Sequence, residues 1–276
     1  MNILTFDIEE WYNALFKYKI SEPNYSVAPY FVHLLDLMKQ MNVKPTFFVL
    51  SSFAEKHQEL IYNISQRYDI GSHGHEHKLI SSMTRSDFEK DTLQSLKILE
   101  SITGKTITKY RAAGFSVTKN IKNYFEVLAN TSIETDCSLS AVNHFYGKKN
   151  IDIVKPYIVE CNGKQINELP PSVIKLFGRG MGFLGGGYFR LLPYSTIKKQ
   201  LQNNKDYNLI YLHPSDFDVN QPKIKGISCF QQFRRRVSLA GNEKKFLKLL
   251  TDFQFVDIES AITEINWIMC EKIKIL

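Results

Sequence analysis

Short runs of apolar and β-branched residues alternate with longer amphipathic stretches, and few architectures accept that rhythm. Ile3 to Ile8, Pro45 to Leu50 and Asp69 to Ser72 have the length of strands, while Tyr30 to Met41 and Ser52 to Ile64 between them carry helical spacing. A chain that alternates strand and helix builds parallel sheet, because each helix carries it back across the sheet before the next strand starts. A further helix is expected from Thr84, where Ser86 and Glu89 fit a capping box, through Phe88, Leu93, Leu96 and Leu99 to Gly104. More strands are expected at Lys109 to Ala112, Ser132 to Asp136, Gln165 to Leu169, Tyr207 to Leu212 and Gln254 to Ile258, with helices at Thr118 to Asn130, Pro193 to Asn203, Asn242 to Phe253 and Glu259 to Ile273. The interval Ser138 to Pro193 is rich in Gly and Pro with weak periodicity, and reads as loops or an inserted hairpin over one face. With no internal repeat and no low-complexity linker, residues 1–276 are expected to form a single α/β domain.

Composition narrows the class of protein. At 43% hydrophobic and 23% charged residues the chain can bury a sizeable core. No stretch reaches the roughly 18 apolar residues of a spanning helix, and the opening Met-Asn-Ile-Leu-Thr-Phe-Asp lacks the basic and apolar regions of a signal peptide, so a cytoplasmic location is expected. Cys137, Cys161, Cys229 and Cys270 are widely spaced and read as reduced structural thiols. A formal charge of +7 suits an anionic partner. The densest basic run, Arg234-Arg235-Arg236, is too short for a polybasic tail and reads as a solvated face; no nucleic-acid-binding signature accompanies it.

Polar residues that look out of place fall just past the expected strands. Asp7, Glu9 and Glu10 follow the first, His73 and His77 the third, Arg111 the fourth, Asp136 the fifth and His213 the strand ending at Leu212. The carboxyl ends of parallel strands are where α/β sites assemble. In Ser72-His73-Gly74-His75-Glu76-His77 the two outer histidines are four apart; if the segment turns from strand into helix they share one face and can grip one ion. Asp7 and Glu9, two apart on an extended strand, point the same way, which makes Glu9 the carboxylate of a Glu/His/His set, Glu10 its rival, and Asp7 a free base. That donor set suits a divalent metal, Zn2+ first, with Co2+, Ni2+ or Mn2+ as alternatives. Trp11, Tyr12, Tyr188 and Phe189 fit either sugar stacking or core packing. The stripe Ile262, Ile265, Trp267, Ile268 and Ile273 reads as a face packed on the sheet in preference to a membrane contact.

Thr5-Phe6-Asp7-Ile8-Glu9-Glu10-Trp11, the His73/His77 pair, Tyr110-Arg111-Ala112-Ala113-Gly114-Phe115, Asp136-Cys137-Ser138 and Tyr211-Leu212-His213-Pro214 follow the motif order of the polysaccharide deacetylase family, also called carbohydrate esterase family 4 or the NodB homology domain. Glu168-Leu169-Pro170-Pro171-Ser172 and Gly185 to Tyr194 resemble the branch found in bacterial exopolysaccharide and lipopolysaccharide gene clusters. The resemblance covers about residues 2 to 260. It departs in two places: Ile8 stands where the commonest first motif has the metal-binding aspartate, and Ala113 where the arginine motif has proline.

The resemblance implies a deformed (β/α)7-type barrel and a metal-dependent hydrolase that removes an N-acetyl or other N-acyl group from an amino sugar while a surface glycan is assembled. Glu9, His73 and His77 would hold the metal. Asp7, oriented by Arg111, would be the base and His213 the acid; Trp11, Tyr188, Asp136 and the segment at Gly114 would contact substrate, with Asp136 alternatively orienting His213. The expected partner is an amino-sugar glycan or precursor, and a lipid-linked one would bring a peripheral membrane contact; nucleic acid is not expected. Two other readings stay open: a hydrolase of another carbon–nitrogen bond, allantoinase-like or a deformylase, and a non-catalytic scaffold in glycan assembly. Gly180-Met181-Gly182-Phe183-Leu184-Gly185 matches a dinucleotide-binding pattern, but Gly186, Gly187 and Pro193 follow it in place of a helix, so it reads as a loop.

Overall fold

The computed structural model describes residues 1–13, 15, 25–118, 120–144, 146–147, 149–176 and 179–275; Lys119, inside one expected helix, lies outside them. In chain order the elements are β1 (Asn2–Ile8), α1 (Ala28–Gln40), β2 (Thr46–Val49), α2 (Ser51–Lys56), α3 (Gln58–Ser65), β3 (Asp69–Ser72), α4 (Arg85–Thr103), β4 (Lys109–Tyr110), α5 (Ile121–Ala129) and β5 (Thr135–Asp136). There follow β6 (Tyr157–Cys161), β7 (Lys164–Glu168), β8 (Val173–Leu176), β9 (Arg179–Phe183), α6 (Gly186–Leu191), α7 (Tyr194–Asn203), β10 (Asn208–Leu212), α8 (Cys229–Arg236), α9 (Asn242–Asp252), α10 (Ile258–Glu264) and β11 (Glu271–Lys274).

Among the described residues nine strands form one sheet in the order β10-β1-β2-β3-β4-β5-β7-β6-β11, parallel except for the β6/β7 hairpin. β1 lies between β10 and β2, next to one edge of the sheet, and is buried on both faces, with Ile3, Leu4, Phe6 and Ile8 wholly inaccessible, as expected of a parallel strand covered on both sides. Phe6 meets the rings of Phe47, Phe217 and Phe246, tying β1 to β2 and α9. Beyond the ladder, the backbone after β7 returns to the free edge of β10: Ser172 N–H donates to Leu209 O and Tyr211 N–H to Leu184 O. Irregular chain thus covers the edge that a closed barrel would pair. β8 and β9 form a separate two-stranded hairpin, so the Gly- and Pro-rich interval holds two hairpins.

Several expectations are corrected. The helix expected at Ser52 to Ile64 breaks at His57, which ends α2 and starts α3. At α4 the cap is Thr84, whose hydroxyl accepts the Asp87 N–H, so the Ser86/Glu89 pairing is not the one used; Gly104 closes the helix at φ +68° as its lack of a Cβ allows. The strand expected at Gln254 to Ile258 shrinks to a bridge between Val256 and Ile3, because Asp257 already caps α10 through the Ser260 N–H. The long C-terminal helix is likewise absent. α10 stops at Glu264, and Glu271–Lys274 adds β11 beside β6, with Ile273 and Ile275 turned onto Tyr157 and Val159. Of the C-terminal apolar stripe, Ile262, Ile265 and Trp267 pack on the sheet, whereas Ile268 is 91% exposed. Among the described residues no helix is long and apolar enough to cross a membrane.

Candidate metal centre and catalytic site

At the carboxyl end of β1 the alternation of the strand turns Asp7 and Glu9 to one side, both almost fully buried. Ligand atoms of Glu9, His73 and His77 all lie within 4.8 Å of one another. Glu10 points elsewhere: its two carboxylate oxygens accept the Ser26 hydroxyl and the Val27 N–H, which anchors the start of α1.

The two histidines converge through a turn, not the helix expected from their spacing. Gly74 (φ +81°) and His77 (φ +52°) are left-handed, and the Asp91 carboxylate on α4 accepts the N–H groups of His75 and Glu76 at 2.9 and 3.1 Å. The ring centroids of His73 and His77 end 5.0 Å apart. His75 is turned away, to Ser51 and Gln94.

Each imidazole is held by its far nitrogen. His73 Nδ1 lies 2.8 Å from Arg111 O and His77 Nδ1 3.0 Å from Asn13 O, so each Nδ1 carries the proton and each Nε2 presents a lone pair to the centre. Burial pushes the His73 pKa down to about 4, outweighing the nearby carboxylates, and keeps the ring neutral. Glu9 Oε2 is 2.7 Å from His77 Nε2 and, among the described residues, is buried with no other donor. Acceptors gathered around one spot, with their other atoms committed to the backbone, are what a divalent cation requires, so the residues fit the group.

Asp7 stands beside this set and is held differently. Arg111, wholly buried, donates to Asp7 Oδ1 at 2.7 Å and to Thr5 Oγ1 at 2.8 Å, and lies 4.1 Å from the centroid of the Phe48 ring. Burial alone would raise the Asp7 pKa; Arg111, with His73 and His213, outweighs it and holds the carboxyl below its ordinary range. Asp7 therefore stays ionised. Across the site, His213 Nε2 is 3.8 Å from Asp7 and 3.7 Å from Glu9, while its Nδ1 is 3.1 Å from Asp216. Burial opposes the charged ring, yet the carboxylates, Asp216 foremost, raise the His213 pKa to about 9, so it is protonated at neutral pH.

Asp216 is a candidate site residue that the sequence reading missed. It lies three residues after His213, accepts the His213 backbone N–H as well as meeting the ring, and is itself paired with Arg190 at 3.0 Å. A polar residue at that offset after a strand-end histidine was the available signal. Asp136, expected to orient His213 or bind substrate, does not reach His213: it is wholly buried, accepts from Tyr124 and Ser138, and faces the carboxyl of Glu168. Ser138 in turn accepts the Ala112 N–H, so this network fixes the backbone after Arg111. There Gly114 adopts φ +60°, and the N–H groups of Ala113 and Gly114 have no acceptor among the described residues. Trp11 is 5% exposed with its edge to Tyr12, Phe189 is core, and Tyr188 stands 37% exposed on α6.

The polysaccharide deacetylase family model matches residues 3–132, and a domain of unknown function (DUF3473) matches residues 137–263. A peptidoglycan-N-acetylglucosamine deacetylase from Bacillus cereus is 31% identical over 72 residues, 26% of this chain and 26% of that protein, so the match spans about a quarter of the relative's length. Among solved structures, a candidate polysaccharide deacetylase from Mycobacterium smegmatis has a TM-score of 0.62 at 15% identity, covering 100% of this chain and 93% of that one. A CE4 family pseudoenzyme from Bacillus anthracis has a TM-score of 0.52 at 8% identity, covering 94% and 64% respectively. At such identities the likeness is one of fold.

Proposed function

The N-terminal half of this chain belongs to the polysaccharide deacetylase family, and from that premise we propose a metal-dependent hydrolase that removes an N-acyl group, N-acetyl first, from an amino sugar during assembly of a surface polysaccharide. The observation that carries the reading is the meeting of three ligand-type side chains with an ionised base and a protonated acid on one buried spot. Glu9, His73 and His77 would hold the cation, with Zn2+ the ion best matched to two imidazoles and a carboxylate. When bound, it supplies a water of lowered pKa and polarisation of the acyl oxygen.

The chain's own groups do the rest. Asp7 takes a proton from the attacking water, and Arg111 keeps its carboxylate ionised and aimed. The Ala113 and Gly114 N–H groups would meet negative charge developing on the acyl oxygen. His213 gives its proton to the departing amine, leaving a free amino sugar and a carboxylic acid, and Asp216 fixes which ring nitrogen faces the site. Tyr188, exposed on α6, would line the sugar, whereas Trp11, buried beneath Arg235, does not present its ring to it. The cytoplasmic setting belongs to the same proposal, supported by four unpaired cysteines, two of them buried.

The test is release of acetate from a panel of N-acetylated amino sugars, with cyclic ureides alongside, by protein stripped of metal and then reloaded. Turnover of the sugars that returns with the metal supports the reading. Turnover of the ureides alone would move the chemistry to another carbon–nitrogen bond. A metal-loaded protein active on neither would favour the scaffold suggested by Ile8 in the first motif.

A further inference from the structure

Among the described residues, one guanidinium at the edge of this site has no carboxylate partner. Arg235, in the last turn of α8, is half-buried and donates to Trp11 O at 3.3 Å and Gln221 Oε1 at 3.0 Å, with its cationic carbon 5.1 Å from the centroid of the Trp11 ring. Its Nε is buried with no acceptor among the described residues. Arg236 beside it donates to the carbonyls of Gln221 and Val219. Among the described residues no carboxylate pairs with either arginine, while Arg190, the charged neighbour on the other side, already has Asp216. Burial first, and then the like charges of Arg190 and Arg236, lower the Arg235 pKa to about 10. Holding an uncompensated cation out of water in this way costs free energy that an arriving anion would recover.

The position of the group ties it to the chemistry. Arg190 binds the carbonyls of Arg234, Arg235 and Val237 and also Asp216, the partner of His213, so the end of α8 is fixed to the acid side of the site. On the opposite flank Arg235 covers Trp11, two residues past Glu9. Tyr146 lies within electrostatic reach of both Glu9 and Arg235.

We propose that Arg235 anchors an anion subsite beside the metal centre, receiving a phosphoryl or carboxylate group carried by the sugar substrate. Its planar fork suits two oxygens of either group, and the Trp11 face fixes the plane of the fork. The sugar part of this inference rests on the deacetylase reading; the anion part does not.

Calorimetric titration of the metal-loaded protein tests it with four probes: inorganic phosphate, neutral N-acetylglucosamine, N-acetylglucosamine 1-phosphate, and a disaccharide joining N-acetylglucosamine to glucuronate. One of the two anionic sugars is expected to bind about tenfold to a hundredfold tighter than the neutral sugar. Which one does so distinguishes an anomeric phosphoryl from a neighbouring carboxylate. In Arg235→Met that preference should fall to about one, and in Arg235→Lys it should be partly kept; unchanged metal content reports that each variant is folded. A preference that survives Arg235→Met, or equal binding of all the sugars by the native protein, overturns the subsite. If phosphate binds through Arg235 but no N-acylated sugar is turned over, the deacetylase reading fails and the subsite stands.

Discussion

Asp7 on β1 and Glu9 just past its end are two carboxylates whose surroundings separate them. Asp7 is held by a guanidinium and Glu9 faces two imidazole lone pairs. Asp7→Asn is therefore expected to keep the metal and lose about 10² to 10⁴ in turnover, the usual contribution of a general base; metal analysis and acetate release on one preparation check it, and normal turnover would remove Asp7 from the role. Asp216→Asn acts through His213. The carboxylate raises the His213 pKa, so its loss lowers that pKa and leaves less acid at any given alkaline pH. The alkaline limb of the rate profile should move to lower pH while metal content holds, and a limb that stays in place would break the His213–Asp216 link. His213 was legible in the sequence as a polar residue after a strand. Asp216 was not, because its role is set by how a short turn folds back, which periodicity does not report.

Among the elements, the turn from Ser72 to His77 decides whether two imidazoles meet. Spacing of four suggested a helix, but Gly74 makes a left-handed turn that the Asp91 carboxylate braces, and a Cβ at Gly74 would come within 2.9 Å of that carboxylate. Gly74→Ala should cost about 1–2 kcal/mol of stability from the left-handed backbone and weaken metal affinity about tenfold or more as the histidines separate. Urea unfolding with competitive metal titration reads both; native metal affinity would show that the turn does not set the site. Legibility at this scale follows locality. Strands and helices with strong periodicity through α5 lie close to where the pattern puts them. β11 and α8 escaped it: β11 exists because a distant partner, β6, offers an edge, and α8 is a short helix with no buried residue.

For the molecule as a whole, the βα rhythm was enough to foresee a largely parallel sheet with its polar residues gathered at strand ends, whereas the closing of the β10 edge by irregular chain had no sequence signature. The buried Asp136 and Glu168 pair also acts at this scale. Burial raises both carboxyl pKa values, Glu168 furthest because the Asp136 charge adds to it, and the hydroxyls of Tyr124 and Ser138 face the pair. A folded-state pKa above the unfolded one means the folded protein binds more protons between the two values, so this contribution to stability is present in acid and lost as pH rises through that window. Glu168→Gln should flatten the fall in stability that sets in as pH rises above the ordinary carboxyl range, measured by urea unfolding; an unchanged slope would place the proton elsewhere. The account as a whole stands on the cation, and equilibrium dialysis of purified protein against Zn2+, followed by metal analysis, tests it most directly. One tightly held ion per chain, lost in both His73→Ala and His77→Ala and kept in Asp7→Asn, is the predicted result; a chain that binds no ion, or that keeps it without either histidine, would contradict it.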